Sequence, residues 1–176
     1  MTGLLGSPRF RVVKSVMRSP DFITACCVAI AAWIAAGGTP SLHESLVQLA
    51  PTLIGVFATL IGFVIAGQAL AFALISEELR VVISLAPDGI RGIARPYKVV
   101  AAVSAMALAS ALWMLLTNGS VAALPWVPQA ECAALGFFGA WAVGGATQLV
   151  WNGTHLLYWN HSLAENVEAL KQRRAS

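Results

Sequence analysis

Residues Leu49–Ser76 read LAPTLIGVFATLIGFVIAGQALAFALIS, without a single Asp, Glu, Lys or Arg. About 17–25 apolar residues of helix cross a hydrocarbon layer roughly 30 Å thick, and this run exceeds that need. In lipid every peptide N–H and C=O must find its partner inside the protein, so such a run is a helix. A membrane barrel strand alternates over about ten residues, and no such alternation occurs. Length beyond the hydrocarbon thickness predicts tilt, or projection past the lipid.

Three more apolar runs flank it: about Phe22 to Gly38, Val99 to Thr117, and Cys132 to Tyr158. The expectation is an all-α, polytopic membrane protein with a four-transmembrane-helix bundle. Its transmembrane domain covers residues 21–159, with spans at 22–38, 49–76, 99–117 and 132–158. A basic amphipathic segment (1–20) precedes it and a juxtamembrane tail (160–176) follows. Composition agrees. Of 176 residues, 58% are hydrophobic and 11% charged, and mean hydropathy is +0.75. A soluble domain of this length needs more charge to cover its surface.

The eleven Lys and Arg residues fall into three groups. Arg9, Arg11, Lys14 and Arg18 precede the first run. Arg80, Arg91, Arg95 and Lys98 lie between the second and third. Lys171, Arg173 and Arg174 close the chain. The connections Thr39–Gln48 and Asn118–Glu131 contain none. Basic loops stay in the cytoplasm, so both termini and the middle loop are expected inside (N-in/C-in), in a bacterial inner (plasma) membrane. Trp126, Tyr158 and Trp159 fit an aromatic belt. The net charge of +3 sits beside apolar runs, which points to anionic lipid headgroups and not to nucleic acid.

Local patterns add detail. Phe10, Val13 and Met17 share one helical face and Arg11, Lys14 and Arg18 another, the arrangement of a segment lying in the membrane surface. Pro87-Asp88-Gly89 reads as a turn, and Pro96 as a break before the third span. Ser162 and Glu165 form a capping-box pattern ahead of Leu163, Val167 and Leu170, so a short separate juxtamembrane helix is expected in the tail.

The fourth span carries the most informative side chains. At 100° per residue, Gly144, Gln148, Asn152 and His155 fall within about an 80° arc. A lipid-facing helix does not display such a stripe, so this face should meet protein or water. Gln68 and Ser104 come out at similar depth, which predicts a polar intramembrane cluster or pore lining of Gln68, Ser104, Gln148, Asn152 and His155. Gly55, Ala58, Thr59, Gly62 and Ala66 form a small-residue band on the second span, with Ala69 and Ala73 continuing it. Ala101, Ala105 and Ala109 repeat the idea on the third. Small residues let helix backbones approach closely in lipid, so Gly55, Ala58, Gly62, Ala66 and Gly144 are expected helix-packing positions and self-association is expected. Arg11, Lys14, Arg18, Arg80, Arg91 and Arg95 are the expected contacts to headgroups or to a soluble cytoplasmic protein.

Chemistry is sparse. Cys26 and Cys27 are adjacent, Cys132 stands apart, and no C-x-x-C spacing occurs. His155 and His161 are poorly spaced for one metal ion on a helix, and no haem-ligating histidine pair is present. No hydrolase, metalloprotease or phosphate-cradling motif occurs. No metal, no cofactor and no enzymatic activity are expected. The span cores hold no ionisable side chain, which disfavours proton-coupled transport, whereas a passive conduit needs only amides and hydroxyls. The expected function is a non-enzymatic integral membrane subunit that assembles into a homo-oligomer or membrane complex, with a channel-like polar passage. The second expectation is a membrane anchor or sensor subunit that docks a soluble cytoplasmic partner, as small bacterial stress or phage-defence proteins do; that analogy is architectural alone. A lipid-modifying enzyme at the membrane edge ranks third.

Overall fold

The computed structural model describes residues 19–73, 75–77, 80, 83, 89–117, 124 and 126–175. Four helices carry the fold: α1 (Pro20–Gly38), α2 (Pro40–Ala73), α3 (Gly89–Thr117) and α4 (Val127–Ala175). All four are long and apolar enough to cross a membrane. The basic segment ahead of Ser19, with Arg11, Lys14 and Arg18, lies outside the described residues, as do Pro87 and Asp88 of the expected turn.

Three helix ends differ from the sequence expectation. The connection expected over Thr39–Gln48 is helical from Pro40 onward. A single residue, Thr39, joins the two helices: its N–H donates to Ala35 O at 2.8 Å, and its carbonyl accepts from Leu42 N at 3.0 Å. Proline suits the first helical position because its missing N–H would have no partner there. The next turns hold because Leu42, Leu46 and Val47 pack into the core.

α3 also runs straight through Pro96. A proline ring meets the carbonyl four residues earlier, which here belongs to Gly92, an exposed residue without a side chain. The disturbed carbonyl therefore faces outward near the helix start. Gly89 opens α3 with φ +49°, a left-handed conformation that glycine adopts without steric cost.

The tail, finally, is no separate helix: α4 continues unbroken through Ser162 to Ala175. No Gly or Pro follows Gly153, and the tail is rich in Ala, Leu, Glu, Lys, Gln and Arg, which are strong helix formers.

Packing follows seven-residue repeats. On α2, Ala50, Phe57, Val64 and Ala71 are buried; on α3, Tyr97, Ser104 and Ala111 alternate with Val100, Ala107 and Met114; on α4, Leu135, Ala142 and Leu149 are buried. Such spacing keeps one seam facing a neighbour aligned at a small crossing angle. α1 presents Ala25, Ala29, Ala32 and Ala36 to its neighbours, a face small enough for close approach to α4. A methyl group on Gly136 would lie 3.4 Å from both Ala32 Cβ and Val28 Cγ1.

The bundle has two unlike halves. Near the α1–α2 turn, Ala36, Val47, Phe57, Ala111, Cys132 and Leu135 form one core drawn from all four helices. Towards the other end, Val64, Ala71, Tyr97, Val100 and Leu149 form a second core drawn from α2, α3 and α4 only. The reason is axial. α1 begins with Asp21 against Gly144, where a methyl group would lie 3.1 Å from the carboxylate side chain, and α4 continues well past that level.

Candidate functional site

Two regions concentrate polar side chains. The first lies at the three-helix end. Phe57 packs over Gly139, Val100 over Gly145, and Tyr97 over Gly67. Counting 1.5 Å per residue from these contacts, Gln68 falls at the level of α4 between Gln148 and Asn152. Ser104 sits roughly 10 Å, about two turns, nearer the α1–α2 turn.

Depth is shared, but direction is not. Ser104 is fully buried, and its hydroxyl donates to Val100 O at 2.8 Å, on its own helix. Gln68 is half-buried, while Gln148, Asn152 and His155 are exposed on the outside of the protomer. His155 meets the Trp151 ring edge-on at 5.2 Å. The structure therefore does not bring the five expected residues together within one chain. Gly144 is the exception among the small residues: it is the seat of Asp21. Gly55, Ala58, Thr59, Gly62 and Ala66 all face outward, opposite the Phe57–Val64 seam. Thr59 satisfies its hydroxyl on Gly55 O at 2.8 Å. Arg80, Arg91 and Arg95 are exposed.

Beside this polar stripe the helices part. A cavity of about 170 Å³ lies between α2, α3 and α4, lined by Gly67, Tyr97, Ala146, Leu149, Gly153 and Leu156 among others. A shallower cleft of about 540 Å³ runs between α2 and α4, bordered by Phe63, Val150 and Trp151. Both are essentially apolar. Both lie towards the three-helix end, around and beyond the level of Gly144 where α1 starts.

The second region is at the four-helix end and is not legible as a site in the sequence. Glu131 is 8% exposed. His43 Nε2 on α2 lies 2.8 Å from its Oε2, and the Thr117 hydroxyl on α3 donates to its Oε1 at 2.7 Å. One carboxylate thus ties three helices, with both oxygens engaged. A buried charge without partners costs several kcal/mol, and a paired one is correspondingly costly to break. Sequence reasoning leaves His43 and Glu131 in loops because they sit outside the apolar runs; only the helical extension of α2 and α4 places them face to face. Among the described residues no group of three His, Cys, Asp or Glu side chains converges as a metal site would.

Comparison with protein-family models, with curated proteins and with solved structures found no match.

Proposed function

We propose that this chain is an integral membrane subunit, inserted with both termini in the cytoplasm, that works by self-assembly and forms a polar passage between protomers. One observation carries the reading: Gln148, Asn152 and His155 lie exposed on the outer face of α4, and the amides have no hydrogen-bond partner among the described residues. At the edge of the hydrocarbon, where water reaches an amide only in part, an unsatisfied amide keeps a fraction of the several kcal/mol it would cost inside. A second copy, or water held between copies, removes that cost. The outward band Gly55, Ala58, Gly62 and Ala66 supports the same reading, because close backbone approach drives helix association in lipid. The stripe therefore lines a passage only in an assembly, and Ser104, buried within its own protomer, stands apart from it.

The test is ion flux from liposomes holding the purified protein, alongside native mass spectrometry of the same preparation. Q148L and N152L should each change the flux while leaving the oligomer intact. Unchanged flux in both variants, or a monomer throughout, would sink the proposal.

A second reading is favoured by one further feature. α4 runs on from Trp159 to Ala175, roughly 24 Å at 1.5 Å per residue. Such an extension, at the same end of the bundle as exposed Arg91 and Arg95, suits an anchor that docks a soluble cytoplasmic protein. That reading requires a co-purifying partner that is lost on reversing Arg91 and Arg95 to Glu.

A further inference from the structure

The cavity between α2, α3 and α4 holds one unanswered polar group. Tyr97 lines it and is 8% exposed, its ring standing over Gly67, where a methyl group would lie 3.8 Å from Cε1. The Tyr97 hydroxyl has no hydrogen-bond partner among the described residues. Every other side chain lining the cavity is apolar. Water is a poor occupant, because a buried water needs about two to four polar partners and this space offers one. The α2–α4 cleft shares Phe63, Ala146 and Val150 with the cavity and adds Leu60 and Val143, about one turn nearer the α1–α2 turn. Both threonine hydroxyls bordering the cleft are taken: Thr147 donates to Val143 O at 3.0 Å and Thr154 to Trp151 O at 2.7 Å. Cavity and cleft thus form one apolar passage whose free hydroxyl, among the described residues, is that of Tyr97.

We propose that this passage binds an isoprenoid quinone, with the uncharged ring in the cavity, one ring carbonyl accepting from the Tyr97 hydroxyl, and the hydrocarbon tail in the cleft. Size fits. A cavity of about 150 Å³ accommodates a benzene ring, and this one measures about 170 Å³. Polarity selects among lipids. A phosphate headgroup would be buried there without a cation, since Arg95 and Lys98 are exposed and lie roughly 100° or more around α3 from Tyr97. An alcohol that shares one hydrogen bond with the phenol leaves one of the two hydroxyl hydrogens unpaired, whereas a carbonyl leaves none. Depth agrees as well. The 19 residues of α1 are about as long as one hydrocarbon layer is thick, and α1 starts level with Gly144. The cavity therefore lies at the edge of that layer, and the cleft leads back into it. The inference rests on the insertion in lipid proposed above, and not on assembly.

Decylubiquinone, a quinone ring on a saturated tail, is the probe. Titrated into the detergent-solubilised full chain, it should raise the thermal midpoint saturably, as a ligand of the native state does. Y97F keeps the ring and removes the hydroxyl, and should weaken the apparent affinity about tenfold. G153L puts a side chain into the cavity at a position where a methyl group meets nothing within 4 Å. It should abolish the shift while leaving the midpoint without probe close to that of the parent chain; should it fold poorly, Y97F carries the test alone. Reducing the probe to its quinol should weaken binding severalfold, because the ring hydroxyls bring hydrogens that the cavity cannot pair. Equal affinity in the parent chain and Y97F, or an equal shift from decylbenzene, which has no carbonyl, would mean mere partitioning and overturn the proposal. So would a bound phospholipid that decylubiquinone fails to displace in native mass spectra. The same spectra separate this idea from assembly. A monomer that binds the probe removes only the assembly reading, and an oligomer that does not bind it removes only this one.

Discussion

Glu131 is the side chain on which most depends. Truncating it to Ala strips the His43 imidazole of its carboxylate and leaves a void among α2, α3 and α4, where the pair lies 2.8 Å apart. Breaking a buried pair by removing one partner costs about 3–5 kcal/mol, and the partial exposure of His43 puts this site at the low end. T117V removes one of the two bonds to the carboxylate and should cost about 1 kcal/mol. Apparent thermal midpoints in detergent check both, and an E131A protein as stable as T117V would show that the carboxylate does not pin the helices. A second residue-scale contrast comes from two glycines on α4. A methyl group on Gly145 would lie 2.7 Å from Val100 Cγ2, whereas Gly153 has nothing within 4 Å. Valine is stiff at χ1 and yields poorly. G145A should therefore destabilise by about 1–3 kcal/mol through overpacking, while G153A should be neutral or slightly stabilising through helix propensity. Equal effects in the same melting assay would refute the close α3–α4 approach.

At the scale of the helix, the outward band on α2 makes a separable prediction. A methyl group on Gly62 would meet nothing within 4 Å inside the protomer, and Ala66 is exposed. G62I and A66I should leave the thermal midpoint nearly unchanged yet lower the oligomer fraction in native mass spectra. Loss of protomer stability instead would place the band inside the fold. The same scale shows what the sequence makes legible. The four apolar helices are readable because each exceeds the length that hydrocarbon demands. Their ends are not, because hydropathy marks where charge begins and not where a helix stops. α2 therefore starts at Pro40, ahead of its apolar run, and α4 passes through Ser162. The polar stripe of Gln148, Asn152 and His155 is readable as an arc on one helix, but whether an arc faces inward or outward depends on neighbours that only packing supplies. The pairing of His43 with Glu131 is hidden for both reasons together.

At the scale of the whole molecule, the surface is as apolar as an interior: Ile34 is 67% exposed and Leu116 70%. Water would penalise such a surface at about 25 cal/mol per Å², and lipid does not. If the bilayer is the solvent, α1 fixes how deep each residue lies. Its 19 residues span roughly 27 Å at 1.5 Å per residue, close to one hydrocarbon thickness. Gly37 packs beside Gln129 at one end and Asp21 beside Gly144 at the other. One boundary of the hydrocarbon then falls just past Gly144, which puts Gln148 near the interface and His155 in the headgroup layer. In the proposed orientation, a polar passage built on this stripe is a cytoplasmic vestibule or gate, and any constriction deeper in must be apolar. Nitroxide labels at F137C, Q148C and H155C, in a variant with Cys26, Cys27 and Cys132 replaced by Ala, measure this through relaxation by oxygen, which favours lipid, and by a nickel chelate, which favours water. Oxygen should dominate at position 137 and the chelate at 155, with 148 between them. Oxygen dominance at 155 would carry the stripe to the membrane interior, where its three side chains would have to line the narrowest part of the path.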